Sequence, residues 1–198
     1  MLQWIHSGSM QASKVAGVYV VEELEVVRRR YRGRPMSERM AWAFMEFLSG
    51  ADPRLDNATE RARLRRYWTD LKAHSDPASL LATWLRRRAE RLECQAQLGS
   101  IEDLRQDPRV VLSGVSDPRS GLSAEHQVEA YVQPSHLDAV VKDHLLVPAV
   151  VPNVFLHVTD RHVSSPMPLG LVLTDLADHG GPREDAQVEQ ILKRILYC

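Results

Sequence analysis

The sequence has no apolar run approaching the length of a membrane span, about 20 residues, and its N-terminus lacks the basic, apolar and small-residue order of a signal peptide. A cytoplasmic protein is expected, with no membrane partner. Cysteine is scarce: Cys94 and Cys198 are the two, and neither has a neighbour at metal or redox spacing. That excludes a disulfide scaffold and a zinc ribbon, and two unpaired thiols suit a reducing compartment. Catalytic signatures are missing as well. There is no P-loop, no complete dinucleotide glycine fingerprint and no G-x-S-x-G elbow around Ser113-Gly114. Cys94 has no histidine close in sequence to activate it. A nucleotidyltransferase needs a Gly-Ser turn followed by carboxylates on a strand to hold Mg²⁺. Here Gly99-Ser100 leads into a helical stretch, and Asp175 and Asp178 lie three residues apart, which suits a cap and a turn acid. Of the 8 histidines, His157 and His162 flank Asp160 on a strand leading into a loop, and nothing supplies a third ligand. The histidines are expected on the surface or in loops. Neither catalysis nor a cofactor or metal is expected.

Charge is present in plenty but segregated. The net charge is −1, yet residues 28–91 carry sixteen Lys/Arg against eight Asp/Glu, and residues 108–198 carry seven against eleven. A basic middle can hold phosphate backbones and an acidic end can face a basic protein partner. Either set can also simply solvate helix surfaces.

The basic middle begins with the stretch that organises the N-terminus, from Trp4 to Pro35. Trp4-Ile5-His6 closes a helix, with Gly8 as its left-handed cap. Met10–Val15 and Val18–Val21 are β-rich runs separated by Ala16-Gly17, the pattern of a hairpin. Glu22 to Val27 then opens a helix with acids first and Arg28, Arg29 and Arg30 in its last turn, as the helix dipole favours. Arg32-Gly33-Arg34-Pro35 has the core pattern of an AT-hook, whose arginines lie in the narrow minor groove of A·T-rich DNA. A solvated interdomain linker has the same composition. The residues expected to touch double-stranded DNA are Gln3, His6, Lys14, Arg28, Arg29, Arg30, Arg32 and Arg34.

After this stretch, Ser37 caps a helix carrying Met40, Phe44 and Phe47, which stops at Ser49-Gly50. Asn57 caps the next, with Leu64, Trp68 and Leu71 inside and Arg61, Arg63, Arg65 and Arg66 around it. Asp76-Pro77 starts a third, with Leu81, Leu85 and Leu92 inside and Arg86, Arg87, Arg88 and Arg91 facing out. A short helix follows Ser100. Beyond Pro108, strands are expected at Val110–Leu112, Val128–Val132, Val154–Val158 and Leu171–Leu173, and helices from Pro134 and from Pro182. The expected class is α+β: a winged-helix remnant over 1–35, a small α-helical bundle over 36–107 and a C-terminal α+β domain over 108–198.

Two resemblances fit this layout. Ile5-x-x-Gly8-x-Met10-x-Ala12-x-Lys14-Val15-x-Gly17-x-Tyr19-x-Val21, followed by Glu23-Leu24-Glu25, resembles the second half of an excisionase-type, MerR-like winged helix. That family reads the major groove with a recognition helix and touches the backbone with its hairpin; this chain opens inside the recognition helix. Ser113-Gly114-Val115-Ser116, Asn153-Val154-x-Leu156-x-Val158 and Leu173-x-Asp175-Leu176-Ala177, with Pro182-Arg183 beyond, resemble the C-terminal part of actinobacterial AbiEi-type antitoxins. The resemblance implies a DNA-associated regulator that opposes a nucleotidyltransferase toxin. Arg63, Arg66, Arg87, Asp175 and Asp178 are the expected contacts to that partner. A protein-interaction module without DNA binding is the alternative, and a homodimer is compatible with either.

Overall fold

The computed structural model describes residues 33–197 and the strand pair Ala12–Val15 (β1) and Val18–Val21 (β2). The expected hairpin is there: β1 and β2 run antiparallel, with Val15 opposite Val18. The helices expected on either side of it, and with them Gln3, His6, Arg28, Arg29, Arg30 and Arg32, lie outside the described residues. Lys14 belongs to β1 by its backbone.

Three helices come next, each started by its expected cap. Ser37 Oγ accepts from the Met40 N–H ahead of Glu38–Leu48 (α1), and Asn57 Oδ1 accepts from the Glu60 N–H at 2.9 Å ahead of Ala58–Ala73 (α2). Asp76 Oδ1 accepts from the Ser79 N–H at 3.0 Å, and Pro77 begins Pro77–Leu85 (α3). Here the expectation fails, because α3 stops at Leu85. Residues Glu90–Gln95 form a strand (β3), so Leu92 and Cys94 sit in a sheet and not on a helix. Leu98–Arg105 (α4), Val110–Leu112 (β4), two single-turn 3₁₀ segments, Val128–Val132 (β5), Pro134–Asp143 (α5), Val147–Pro148 (β6) and Val154–Val158 (β7) follow. Leu169–His179 (α6) is a helix where a strand was expected, and Pro182–Tyr197 (α7) ends the described chain. Leu169 to Leu173 is a short apolar run, and such a run does not distinguish a buried helix from a strand.

The strands order as β4-β5-β7-β3-β6, with β5 and β7 parallel and the other neighbours antiparallel. The molecule is therefore a mixed α+β fold. β3 lies between β7 and β6, so a strand from residues 36–107 sits inside the sheet built by residues 108–198. The helical segment and the C-terminal segment share a core.

Alternation along the strands gives the sheet two unlike faces. One is apolar: Val128, Ala130, Val154 and Leu156 pack with Cys94 beneath Ile101 and Leu104 of α4 and Val140 of α5. The other carries Arg91, Glu129, Tyr131, Phe155 and His157. It faces α6, which is buried from Gly170 to Asp178 and packs against α1, α3 and α7. Among the described residues, no helix is long and apolar enough to cross a membrane.

The crossing of α1 and α6 is close enough to dictate a glycine. A Cβ on Gly170 would lie 2.1 Å from the Met45 carbonyl oxygen, and the Gly170 N–H donates to Ser49 Oγ at 2.8 Å. Replacing Gly170 by alanine forces the helices apart and is expected to cost about 1–3 kcal/mol in urea unfolding. Gly99→Ala in α4 meets open space, and should leave stability unchanged or raise it by up to about 1 kcal/mol. Equal effects of the two substitutions would contradict this close approach.

Candidate functional site

Two arrangements of charged residues emerge from the fold, one on the surface and one in the core. The surface one is built where the AT-hook-like segment enters the described structure. The Met36 N–H donates to the Trp84 carbonyl at 2.8 Å, and Gly33, at φ +130, passes beside Thr83, where a Cβ would lie 3.1 Å from its methyl. Residues 33–36 are thereby pinned along the end of α3. On the other side, Tyr67 of α2 meets the Trp84 ring at 5.0 Å between centroids and Phe44 at 6.2 Å, which fixes α2 against α1 and α3. Between the pinned segment and α2 runs a groove of about 390 Å³, lined by Arg34, Pro35, Met36, Ser37, Met40, Arg63 and Tyr67. Two arginines line it and no carboxylate does.

Of the arginines expected at the surface, the fold brings Arg34 and Arg63 together. Arg87 is exposed in the turn that follows α3, the helix against which Arg34 is pinned. Arg66 stands apart from the groove, 3.8 Å from Asp70 and largely exposed, a pair of small energetic weight. Arg61 is turned back onto its own backbone, donating to the Leu55 carbonyl at 3.0 Å.

The core arrangement overturns several expectations. Arg88 does not face out; it is 2% exposed and runs between the sheet and α6. Its Nη2 lies 2.6 Å from Asp175 Oδ1 and 3.1 Å from Asp178 Oδ2, while its Nε donates to Asp175 Oδ1 and the Tyr131 hydroxyl, both at 3.0 Å. Asp175 and Asp178, one turn apart on α6, are therefore buried partners of Arg88 and not contacts to another protein. Their placement follows from α6 being a helix. Tyr131 donates in turn to Asp175 at 3.0 Å, and Ser113 donates to the other carboxylate oxygen. Trp42 Nε1 donates to the Arg88 carbonyl at 2.9 Å, tying α1 to the same point.

Two strand residues complete the cluster. His157, expected on the surface, is 1% exposed, stacks on Tyr131 at 4.8 Å and lies 3.0 Å from Glu129 Oε1. Glu129 Oε2 accepts from the Val115 N–H at 3.2 Å. His144 is buried too, 2.8 Å from Asp107. Alternation was the sequence signal for these residues. Glu129 and Tyr131, like Phe155 and His157, stand two apart on their strands and so share a face.

Burial penalises every charge here, and the partners offset it unequally: burial still holds the Asp175 carboxyl above its ordinary value, whereas Arg88 and Glu129 stay charged. For Arg88, Tyr131, Asp175 and Asp178 together hold the guanidinium well above its ordinary value. For Glu129, burial pushes upward, but the His157 hydrogen bond and charge hold the carboxyl down at about 2. Glu129, His157 and Asp175 place one potential ligand atom each within 4.8 Å of one another. Those atoms are committed to protein donors: Asp175 to Arg88, Tyr131 and Ser113, and Glu129 to His157 and the Val115 N–H. A divalent ion there would have to displace a guanidinium, so the cluster fits an internal ion network better than a metal centre.

Removing Arg88 takes the guanidinium from buried Asp175 and leaves Asp178 with Arg91 alone, at 3.3 Å, so Arg88→Ala should cost about 3–5 kcal/mol in denaturant unfolding. A loss below 1 kcal/mol would show that the network is dispensable. Glu129 gives a pH signature. Its value is lowered by folding, so its contribution is complete above the unfolded value near 4.5 and disappears as pH falls toward 2. Melting temperatures of the wild type should drop across that window more steeply than those of Glu129→Gln, and parallel curves would refute the assignment.

Comparison with protein-family models, curated proteins and solved structures gives no match for this chain, and its residues alone carry the functional reading.

Proposed function

We propose that the chain is a DNA-associated regulatory protein that grips a phosphate backbone through the groove formed by Arg34 and Arg63. The observation that carries this reading is their convergence. They are far apart in sequence, yet line one carboxylate-free groove, with Arg87 exposed beyond the helix that holds the Arg34 segment. A duplex presents phosphates as a row of negative charges, and arginines fixed on a packed surface neutralise such a row with release of counterions. Phosphate contacts position a protein without reading bases. In this proposal the groove sets affinity and orientation, and the segment from Gln3 to Arg32 supplies any sequence preference. The antitoxin form of the proposal adds a partner toxin of the nucleotidyltransferase type.

A second reading, a protein-interaction module that binds no DNA, is favoured by one observation. Leu98, Leu145, Val147, Val150 and Val151 are large apolar residues between 61% and 87% exposed, and they gather around β6 at one edge of the sheet. Asn153 ties the loop to the β3 end by hydrogen bonds with Ala96 at 2.8 and 2.9 Å, which keeps these residues together. Apolar surface collected in this way marks protein contacts.

The two readings separate in a salt titration of binding to an A·T-rich duplex. Each phosphate contact contributes about 0.9 to the slope of log K against log salt, so Arg34→Ala with Arg63→Ala should flatten it by about 2. An unchanged slope, or no duplex binding by the wild type, would leave the interaction module as the better account.

A further inference from the structure

β5 and β7 are adjacent and parallel, but the chain leaves them in opposite directions. After β5 it enters α5, which packs on the apolar face of the sheet; after β7 it passes to α6, which packs on the polar face. Two neighbouring parallel strands whose connections part to opposite faces leave a crevice at their carboxyl ends, the place where open α/β sheets hold ligands. A cavity of about 180 Å³ lies there. Gln133 and His136 line it from the β5 side and Thr159, Arg161 and His162 from the β7 side, with Arg109 at its wall and Tyr131 among its lining residues.

Pro108, Val111, Val132 and Val163 give the lining an apolar part, and its polar part has one chemical character. That polar part holds two arginines, two histidines, a threonine, a glutamine and Tyr131, and no carboxylate. Arg109 is held in place by Asp107, at 2.5 Å, and Asp143, at 2.8 Å, so its charge is largely answered. Arg161 is freer. Its guanidinium lies 5.2 Å from the centre of the Trp42 ring, and its ion-pair partner among the described residues is exposed Glu38, 3.4 Å from its Nε. The volume is below that of a drug-sized pocket and suits one anionic head group with a few carbons.

We propose that this crevice binds a small phosphate monoester, its phosphoryl oxygens taken by Arg161, His136 and His162. The proposal rests on the crevice alone and is independent of the DNA reading. In a regulator, such a ligand would be an effector.

The test is a ¹H–¹⁵N NMR titration of the full chain in chloride buffer, with inorganic phosphate and with glycerol 3-phosphate as probes. The expected result is saturable shifts at Gln133, His136, Thr159, Arg161 and His162, tighter for the ester than for the inorganic ion. Arg161→Ala and His136→Ala should each weaken binding about tenfold or more, a change of about 1.4 kcal/mol. His136 is exposed at the start of α5, so its variant tests the site even where loss of the Arg161 contact with Trp42 perturbs folding. Shifts that do not saturate, or that are the same in His136→Ala, overturn the proposal. Shifts abolished by Arg34→Ala with Arg63→Ala overturn it too, because they place the anion in the surface groove. Failure of duplex binding leaves this outcome untouched.

Discussion

Arg88 carries a full charge into the middle of the molecule, and the polar half of the fold is arranged to meet it. Asp175 and Asp178 answer it from α6, Tyr131 from β5, and Trp42 of α1 binds its carbonyl. A buried ion pair adds little net stability against a well-packed apolar replacement, because desolvation offsets most of the Coulomb attraction. Its effect is on geometry. Only one rotation of α6 about its axis aims both aspartates at the guanidinium, so the network fixes how the helix lies on the sheet. That placement then sets where α1 crosses at Gly170 and where the chain leaves β7.

Much of this could be read from the residues in order. The caps at Ser37, Asn57 and Asp76, the strands at Val110, Val128 and Val154, and the helices from Pro134 and Pro182 all depend on local chemistry, and local chemistry is what a sequence displays. The two elements read as the wrong type have separate physical causes. In β3, three of the first four residues are charged, with Glu90 and Glu93 exposed and Arg91 half-buried, so no clean alternation marks a strand, and Leu81, Leu85 and Leu92 happen to match a helical period. In α6, burial on all sides erases the amphipathic stripe that would have marked it. Once α3 is extended through β3, Arg88 falls on an outer face and its acidic partners become surface acids. The two wrong elements together hid the core network.

The functional residues divide along the same line. Arg34 and Arg63 were each legible as exposed cations, Arg34 beside a Gly and a Pro and Arg63 on the arginine-rich face of α2. Their meeting was not, since it depends on the Met36 to Trp84 hydrogen bond and the Tyr67 to Trp84 ring contact between distant segments. The crevice at the ends of β5 and β7 needs still more, namely the parallel pairing and the faces on which α5 and α6 pack.

The two faces of the sheet also differ in how they can change over time. On the apolar face, one aliphatic side chain can replace another of similar size with small cost, and positions can drift one by one. On the polar face, losing a single member strands a charge, so Arg88 and Asp175 can be exchanged only together, while Asp178 also has Arg91 at 3.3 Å. A relative of this chain that has abandoned the charge at position 88 should therefore have abandoned that at 175 as well. The interior of one small domain would thus hold a slow, concerted clock beside a fast, independent one.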